Sequence, residues 1–371
     1  MNNTCTLVPA LDGQDQVFRT AFSVLQQAAE AQAFAAAVAA VTFEDRLLAL
    51  KSFGHLTYEP DSPATTPATI FDLASVTKAV ATTSMAMLLY ERGLLELDAP
   101  VADTVPEFLA GSGTPDSRRK AVTFRMLLAH SSGLPAYEKL FLQARSREDL
   151  LQAVFTMALT ADPGTRAEYS DIGFILLGVA LERIAGESLD VFCQREIFAP
   201  LSMINTGFNP SASARGKIPP TADDRTFRKK VVQGQVQDEN AFVLGGVAGH
   251  AGIFSTAGDL TRFAQTMLHG GRPILRRDTV AQFTRRESLP PGTSRALGWD
   301  TPSSPSQSGH CFGDGSFGHL GYTGTSLWID PARQLSVTLL TNRTWPDCAN
   351  QEIRRVRPTF HDAVVEALME L

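Results

Sequence analysis

Apolar positions recur along this chain with two different periods, and each change of period marks an expected change of element. Val17 to Ala35 is rich in alanine and amphipathic enough for a long helix. Ala36 to Phe43 and Leu47 to Leu56 read as two strands joined by the turn-like Glu44-Asp45-Arg46. Beyond residue 75 helical spacing takes over, in Val80 to Gly93, Thr123 to Ala129, Arg147 to Leu159 and Ile172 to Ala185, with loops marked by Pro and Gly between them. Ser211 to Gln237 breaks the pattern. It is polar and rich in Pro and charge, which predicts a long surface loop or an excursion over a site. Strands return in Ser326 to Ile329 and Leu335 to Thr341, around the turn Asp330-Pro331-Ala332-Arg333, and Pro358 to Leu371 reads as a closing helix.

Strands at both ends with helices between them predict an α+β fold. An antiparallel sheet built from residues 1–74 and 246–371 would be flanked by N- and C-terminal helices, because each apolar sheet face needs a cover. Residues 75–245 would form an inserted, all-helical or mainly helical domain, with a site at the interface of the two.

Composition narrows the function classes. The chain has 371 residues, 44% hydrophobic and 19% charged, with a formal net charge of -6. That is a globular balance without the basic footprint of a nucleic-acid binder. Met1 to Gly13 lacks the basic start and apolar run of a signal peptide, and no apolar stretch approaches the ~18–20 residues of a membrane helix. A cytoplasmic protein without membrane partners is expected. Cys5, Cys193, Cys311 and Cys348 are scattered with no C-x-x-C pair, so reduced thiols are expected, with no metal site and no cofactor.

The stretch Phe71-Asp72-Leu73-Ala74-Ser75-Val76-Thr77-Lys78 carries the first candidate chemistry, because the apolar run Ala79 to Leu89 follows it directly. Asp72 is expected to cap that helix. Ser75 and Lys78, three positions apart, would share a face. Serine is a poor nucleophile until a base takes its proton, and lysine serves as one only when neutral. With a free pKa of about 10.4, roughly one lysine in two thousand is neutral at pH 7, so burial is expected to lower Lys78 towards ~7–8. Ser117-Arg118-Arg119-Lys120 has the same spacing but lies in the polar stretch Gly111 to Lys120, where its lysine would be solvated.

Three further stretches matter. Tyr169, in Pro163 to Asp171, sits in a loop just before a helix, where a phenol could shuttle a proton. Gly245 to Thr256 is glycine-rich without the spacing or lysine of a nucleotide loop, and its glycines suggest backbone packed tightly against something. Thr256 and Asp259 are expected to cap a helix there, and His250 reads as structural. Phe317 to Thr325 leads into a strand whose glycines would let a substrate backbone approach, and it could add an N–H to an oxyanion hole begun by Ser75. His130 to Pro135 reads as a helix stop.

In this order, Ser75-Val76-Thr77-Lys78, Tyr169-Ser170-Asp171 and His319-Leu320-Gly321 resemble the three motifs of the penicillin-recognising serine hydrolases. The best match is the class C β-lactamase-like branch, which includes esterases, D-aminopeptidases and DD-peptidases. The phrases Leu127 to Pro135 and Gly249-His250-Ala251-Gly252 are also similar to that family. The resemblance implies a β-lactamase/transpeptidase-like fold, with Ser75 acylated and Lys78 and Tyr169 sharing the base and acid roles. It implies an oxyanion hole from the N–H groups of Ser75 and Tyr322, with His319, Gly321 and Asp171 facing the substrate.

Two residues depart from the pattern. His319 and Leu320 stand where the lactamases usually carry Lys-Thr, which weakens recognition of a substrate carboxylate. Such a group would have to be held elsewhere, with the arginines of Ser211 to Gln237 the first place to look. Asp171 stands where Asn is usual and, when ionised, can only accept. The expected activity is that of a serine hydrolase on a small ester, an amide or a D-amino-acid-containing peptide. The alternatives are a DD-carboxypeptidase or weak class C-like β-lactamase, and a non-catalytic module that binds a peptide or muropeptide.

Overall fold

The computed structural model describes residues 7–110 and 116–370. Cys5 and residues 111–115 of the polar stretch before Lys120 lie outside the described residues. The strands in chain order are β1 (Val8–Pro9), β2 (Ala36–Phe43), β3 (Arg46–Gly54), β4 (Phe71–Asp72), β5 (Gly207–Phe208), β6 (Ala222–Asp224), β7 (Lys230–Val232), β8 (Ile253–Ser255), β9 (Phe317–Leu320), β10 (Ser326–Asp330) and β11 (Leu335–Thr341). A six-stranded sheet runs β1-β3-β2-β11-β10-β9. Its centre joins the two ends of the chain, since β2 pairs antiparallel with β11 through Val41 and Val337. Only the two-residue pairing of β1 with β3 is parallel.

The period of two along these strands buries both faces. Ala37, Ala39 and Val41 of β2, with Trp328, Val337 and Leu339, face Phe22 and Leu25 of the helix Arg19–Glu30 and Phe360 and Val364 of the helix Ile353–Met369. Ala36, Val38 and Ala40, with Leu327, Ile329 and Leu340, face the other core, which takes in Leu260 and Phe263 of the helix Ala257–Leu268 and the helical middle of the chain. The sheet is therefore an apolar layer between helices, as its composition requires. No helix among the described residues is long and apolar enough to cross a membrane.

Several boundaries differ from expectation. The first helical stretch splits into Gln14–Val17 and Arg19–Glu30, and residues 31–35 form a turn that leads into β2 rather than a last turn of helix. The closing helix starts at Ile353 rather than Pro358, so Pro358 lies inside it, and the Arg354 carbonyl that its missing N–H leaves free accepts from Gln307 Nε2 at 3.0 Å. The middle of the chain is not all-helical. β5 pairs with β8, and the excursion Ser211 to Gln237 holds a short helix, Ala212–Arg215, and the hairpin β6–β7. Thr256 caps the helix Ala257–Leu268 by accepting from the Asp259 N–H at 3.2 Å. In the second Ser-x-x-Lys, Ser117 and Lys120 are exposed and Arg119 is the buried member, donating to the carbonyls of Phe108, Phe155, Thr156 and Met157. The described cysteines Cys193, Cys311 and Cys348 are unpaired.

His361 couples the closing helix to the sheet. Its Nδ1 donates to the Gln307 carbonyl at 2.9 Å, so its Nε2, 3.2 Å from Ser326 Oγ, accepts that hydroxyl. Burial holds the imidazole neutral, with a pKa lowered to about 4. Above the ordinary value of 6.5 neither folded nor unfolded chain protonates it. As pH falls through that value the unfolded chain gains a proton that the folded one refuses until about pH 4. Stability linked to this group is therefore lost on acidification, by about 1.4 kcal/mol per pH unit within that window. His361→Gln should flatten the pH dependence of urea unfolding by up to that slope, and an unchanged slope would show that His361 already takes up its proton in the folded state.

Candidate active site

Every residue from Phe71 to Leu89 is buried except Ser75, which alone reaches the surface. The chain enters this stretch from β4 and turns sharply. Ala74 has φ 46°, a left-handed conformation costly for a residue with a Cβ. Asp72 does not cap the helix. One of its oxygens takes the Ala74 N–H at 2.8 Å and the other the Gln237 N–H at 2.6 Å, so it stabilises the turn before Ser75 and ties it to the end of the excursion. Burial pushes its carboxyl up to about 6 despite those two bonds. A π-helical turn, Lys78–Thr83, then opens into the helix Ser84–Glu91.

Lys78 is fully buried, and its Nζ donates to Ser75 Oγ at 2.9 Å, Asp171 Oδ1 at 2.6 Å and the His250 carbonyl at 3.0 Å. Three acceptors match the three hydrogens of an ammonium group. The expectation that burial would make Lys78 a neutral base is thereby corrected. Burial does pull its pKa down, but Asp171 and Tyr169 more than reverse this, and the net shift is upwards. Lys78 takes one carboxylate oxygen of Asp171, whose side chain is 17% exposed.

Tyr169 lies where the loop meets the helix Asp171–Ala185, with its ring centre 4.8 Å from Lys78 Nζ. Withdrawal from water raises its pKa and Asp171 adds to that, while Lys78 and Ser75 act in the opposite direction as neighbours of its hydroxyl. Its loop is held by residues of the helix-stop segment. His130, itself at φ 56°, accepts the Ser170 N–H on Nδ1 at 3.0 Å, and its ring lies 4.6 Å from that of Tyr169, tilted by 36°. Ser170 caps the helix through the Gly173 N–H at 2.9 Å. His130 is thus a support, as its context suggests.

The glycine-rich loop supplies the carbonyl of His250. Gly249 lies against the Phe174 carbonyl and Gly178, where a Cβ would collide with backbone, so the tight packing expected of these glycines is present. The His250 ring bonds Asp238 Oδ1 through Nε2 at 2.8 Å. Burial drives the Asp238 carboxyl up, but His250 and the Ala241 N–H bring it below its usual value.

The third motif is fastened to the segment before Ser75. Thr323 Oγ1 donates to the Asp72 carbonyl at 2.8 Å and Thr325 Oγ1 to that of Leu73 at 2.9 Å. Gly321 presses against the same Leu73 carbonyl, its N–H goes to the Thr325 carbonyl, and its own carbonyl accepts from Arg357. The expectation that Gly321 meets the substrate is corrected, because its backbone groups are spent inside the turn. Tyr322 and Ser75, by contrast, each have a backbone N–H with no acceptor among the described residues. His319 is buried and neutral, its pKa lowered to about 3 by burial and by Lys78 nearby. Its Nδ1 donates to the Leu320 carbonyl at 2.8 Å, and its Nε2 has no partner among the described residues.

Sequence reasoning missed two arginines here. Arg357, fully inside the closing helix, gives its guanidinium to the carbonyls of Gly321, Gly324 and Thr325 and so shapes the turn bearing the Tyr322 N–H. Arg295 stands over the Tyr169 ring, its Cζ 5.4 Å from the ring centre. Neither falls in a motif, and long-range folding alone brings them to the site.

Comparison with known proteins supports a single family. A family model for beta-lactamase matches residues 22–359. An N-acetylmuramyl-L-alanine amidase of Bacillus subtilis (strain 168) is 31% identical over 346 residues, covering 84% of this chain and 78% of that protein. A putative D-alanyl-D-alanine carboxypeptidase of Escherichia coli (strain K12) is 31% identical over 322 residues, covering 80% and 74%. Among solved structures, EstCE1, a hydrolase with promiscuous acyltransferase activity, superposes with a TM-score of 0.77 at 23% identity over 95% of this chain and 99% of that one. A penicillin-binding protein homologue from Caulobacter crescentus gives 0.73 at 21% identity over 95% and 97%. The match runs from the N-terminal helix through all three motifs into the closing helix, and the chain belongs to the beta-lactamase family of serine hydrolases.

Proposed function

We propose that Ser75 is the nucleophile of a hydrolase that cleaves small esters or amides through an acyl-enzyme. The observation that carries this reading is the isolation of the Ser75 hydroxyl at the surface of an otherwise buried stretch, 2.9 Å from Lys78 and beside the Tyr169 hydroxyl. Ser75 Oγ attacks the substrate carbonyl carbon while its proton passes to the Lys78–Tyr169 pair. The carbonyl oxygen takes up the displaced electron pair and meets the N–H groups of Ser75 and Tyr322. Collapse breaks the bond to the leaving group, which accepts the proton from the pair, and water repeats the sequence to free the acid. Lys78, already using all three hydrogens, acts as a fixed positive charge, and Tyr169 is the group that moves the proton.

A second reading is favoured by the relatives. One is named for the bond between N-acetylmuramic acid and L-alanine and another for D-alanyl-D-alanine, which supports an amide of a cell-wall peptide as the natural substrate. A non-catalytic binding module is the remaining alternative, and the same experiment decides it. A fluorophosphonate probe should label Ser75, and Ser75→Ala should abolish labelling with the fold retained. Labelling at another serine, or none, would remove the hydrolase assignment. Tyr169→Phe should cut kcat on a p-nitrophenyl ester by ~10²-fold or more. Undiminished turnover would make Tyr169 a packing residue.

The resting site holds one proton too many for base catalysis, since Lys78 is an ammonium and Tyr169 a phenol. Activity should therefore rise with pH as the pair loses that proton, with an apparent pKa that belongs to both residues. Asp171 raises the pKa of each. Asp171→Asn removes that negative charge, so the rising limb of kcat/KM should move to lower pH. A limb that stays in place would locate the controlling proton outside this pair.

A further inference from the structure

One buried residue touches three of the segments that build the site. The Asp72 carbonyl accepts from Thr323, next to the Tyr322 N–H, and its two side-chain oxygens take the N–H groups of Ala74 and Gln237. Gln237 is the last residue of the excursion, and the residue after it is held from the other side. Asp238 Oδ1 meets His250 Nε2 at 2.8 Å, and the His250 carbonyl is one of the three acceptors of Lys78. The exit of the excursion is thus fixed between the turn that carries Ser75 and the loop that holds Lys78.

The rest of the excursion leans on both sides of the cleft. On the sheet side the Pro220 carbonyl accepts from Asn342, and the Asp223 N–H donates to the Pro346 carbonyl. On the helical side Phe227, between β6 and β7, has its ring 4.8 Å from that of Phe141 and 6.1 Å from that of Phe242. The excursion's arginines, where the sequence pointed for an anion site, are spent within it. Arg215 donates to the Pro210 carbonyl, Arg225 pairs with Asp223, and Arg228 donates to the carbonyls of Val236 and Gln237. A segment fastened largely by such polar contacts can open locally while the core stays closed.

Both partners of the Asp72 side chain are donors. A carboxylate accepts from both, whereas a carboxylic acid turns a hydrogen towards one of them and loses that bond. Ala74 is two residues away in the same turn and stays; Gln237 is 165 residues away and can leave. Burial favours the proton most, pushing the carboxyl up to about 6. Of the charged groups facing it, Asp238 also favours the proton and Arg228 opposes it, while Phe254 of β8 and Thr323 of the third-motif turn add no charge.

We propose that Asp72 is a positioning residue: as a carboxylate it clamps the excursion against the nucleophile turn, and on taking up a proton it releases Gln237 and loosens that wall of the cleft. The proton comes from solvent and sits on the oxygen that faced Gln237, whose N–H turns to water. Because folding raises this carboxyl, its share of global stability is present in acid and lost as pH rises through about 6. The clamp therefore opens in the range where this group favours the folded chain. The clamp stands apart from the reading of Ser75 as nucleophile, and its effect on turnover rests on that reading.

Amide exchange of the native protein, expressed as protection factors, tests the clamp. Between about pH 7.5 and about pH 5, Gln237 and β6–β7 should lose protection by about ten- to a hundredfold, the scale of one hydrogen bond to a charged group, while the helix Ser84–Glu91 keeps its own. Asp72→Asn, neutral at every pH and unable to accept from both donors, should show the acid level of protection throughout. Gln237→Pro removes the donor, leaves the carboxylate in place and should loosen β6–β7 in the same way. Constant protection in the native protein, native protection in either variant, or a loss shared equally by Ser84–Glu91 would overturn the proposal. On a p-nitrophenyl ester, KM should rise as pH falls through the same range in the native protein and stay raised and level in Gln237→Pro. Exchange that follows pH without turnover of any ester would keep the clamp and remove the hydrolase. Turnover with KM and exchange both level would remove the clamp alone.

Discussion

A buried ammonium needs three acceptors, and Lys78 takes them from three separate parts of the chain: Ser75 three residues before it, Asp171 at the start of another helix, and the His250 carbonyl in the glycine-rich loop. Removing one partner from such a buried pair typically costs about 3–5 kcal/mol, because the remaining charge is left uncompensated. Much of the surrounding structure serves that requirement. Gly249 and Gly178 let the loop come close enough for the His250 carbonyl to reach Nζ. Thr82 Oγ1 donates to the Gly249 carbonyl at 2.6 Å and ties the same loop to the Lys78 helix. Ser170 and His130 set where Asp171 and Tyr169 stand.

The centre of the sheet and its helices were legible because β2, β10 and β11 are covered on both faces. Alternate residues of β2 enter different cores, and alanine and valine at successive positions announce a buried strand. The failures share a cause. Asp72 carries a residue type that caps helices, yet its acceptors are consumed by Ala74 and Gln237, the second 165 residues away. Gly321 looks like an opening for substrate and is instead filled by Leu73 and Thr325. Local pattern reports which groups a segment could satisfy, and distant contacts decide which ones it does.

The site residues divide in the same way. Ser75, Lys78 and Tyr169 were readable because their spacing relative to helix starts is a local property, and the fold brings them together. The charge state of Lys78 was not, since burial and Asp171 pull its pKa in opposite directions and the outcome depends on a 2.6 Å contact between residues 93 positions apart. Arg295 and Arg357 carry no motif. They reach the site on the hairpin beside β9 and on the closing helix, elements whose relation to Ser75 exists only in the folded chain.

The two departures from the usual motifs are linked through charge. An Asn at position 171 would leave the Lys78 charge to project into the cleft, whereas the Asp171 carboxylate cancels it locally. A lysine at position 319 would add a positive charge at the sheet edge, whereas His319 is neutral because burial and Lys78 both oppose its protonation. Both changes remove positive potential from where a substrate would approach Ser75. Unit charges 4 Å apart interact by about 4 kcal/mol at the effective dielectric of a protein surface. Moving the effective cation from one wall of the cleft to another therefore changes which end of a substrate is favoured there. With Lys78 compensated and His319 neutral, the positive charge over the Tyr169 ring is that of Arg295, itself paired with Asp300 at 3.5 Å.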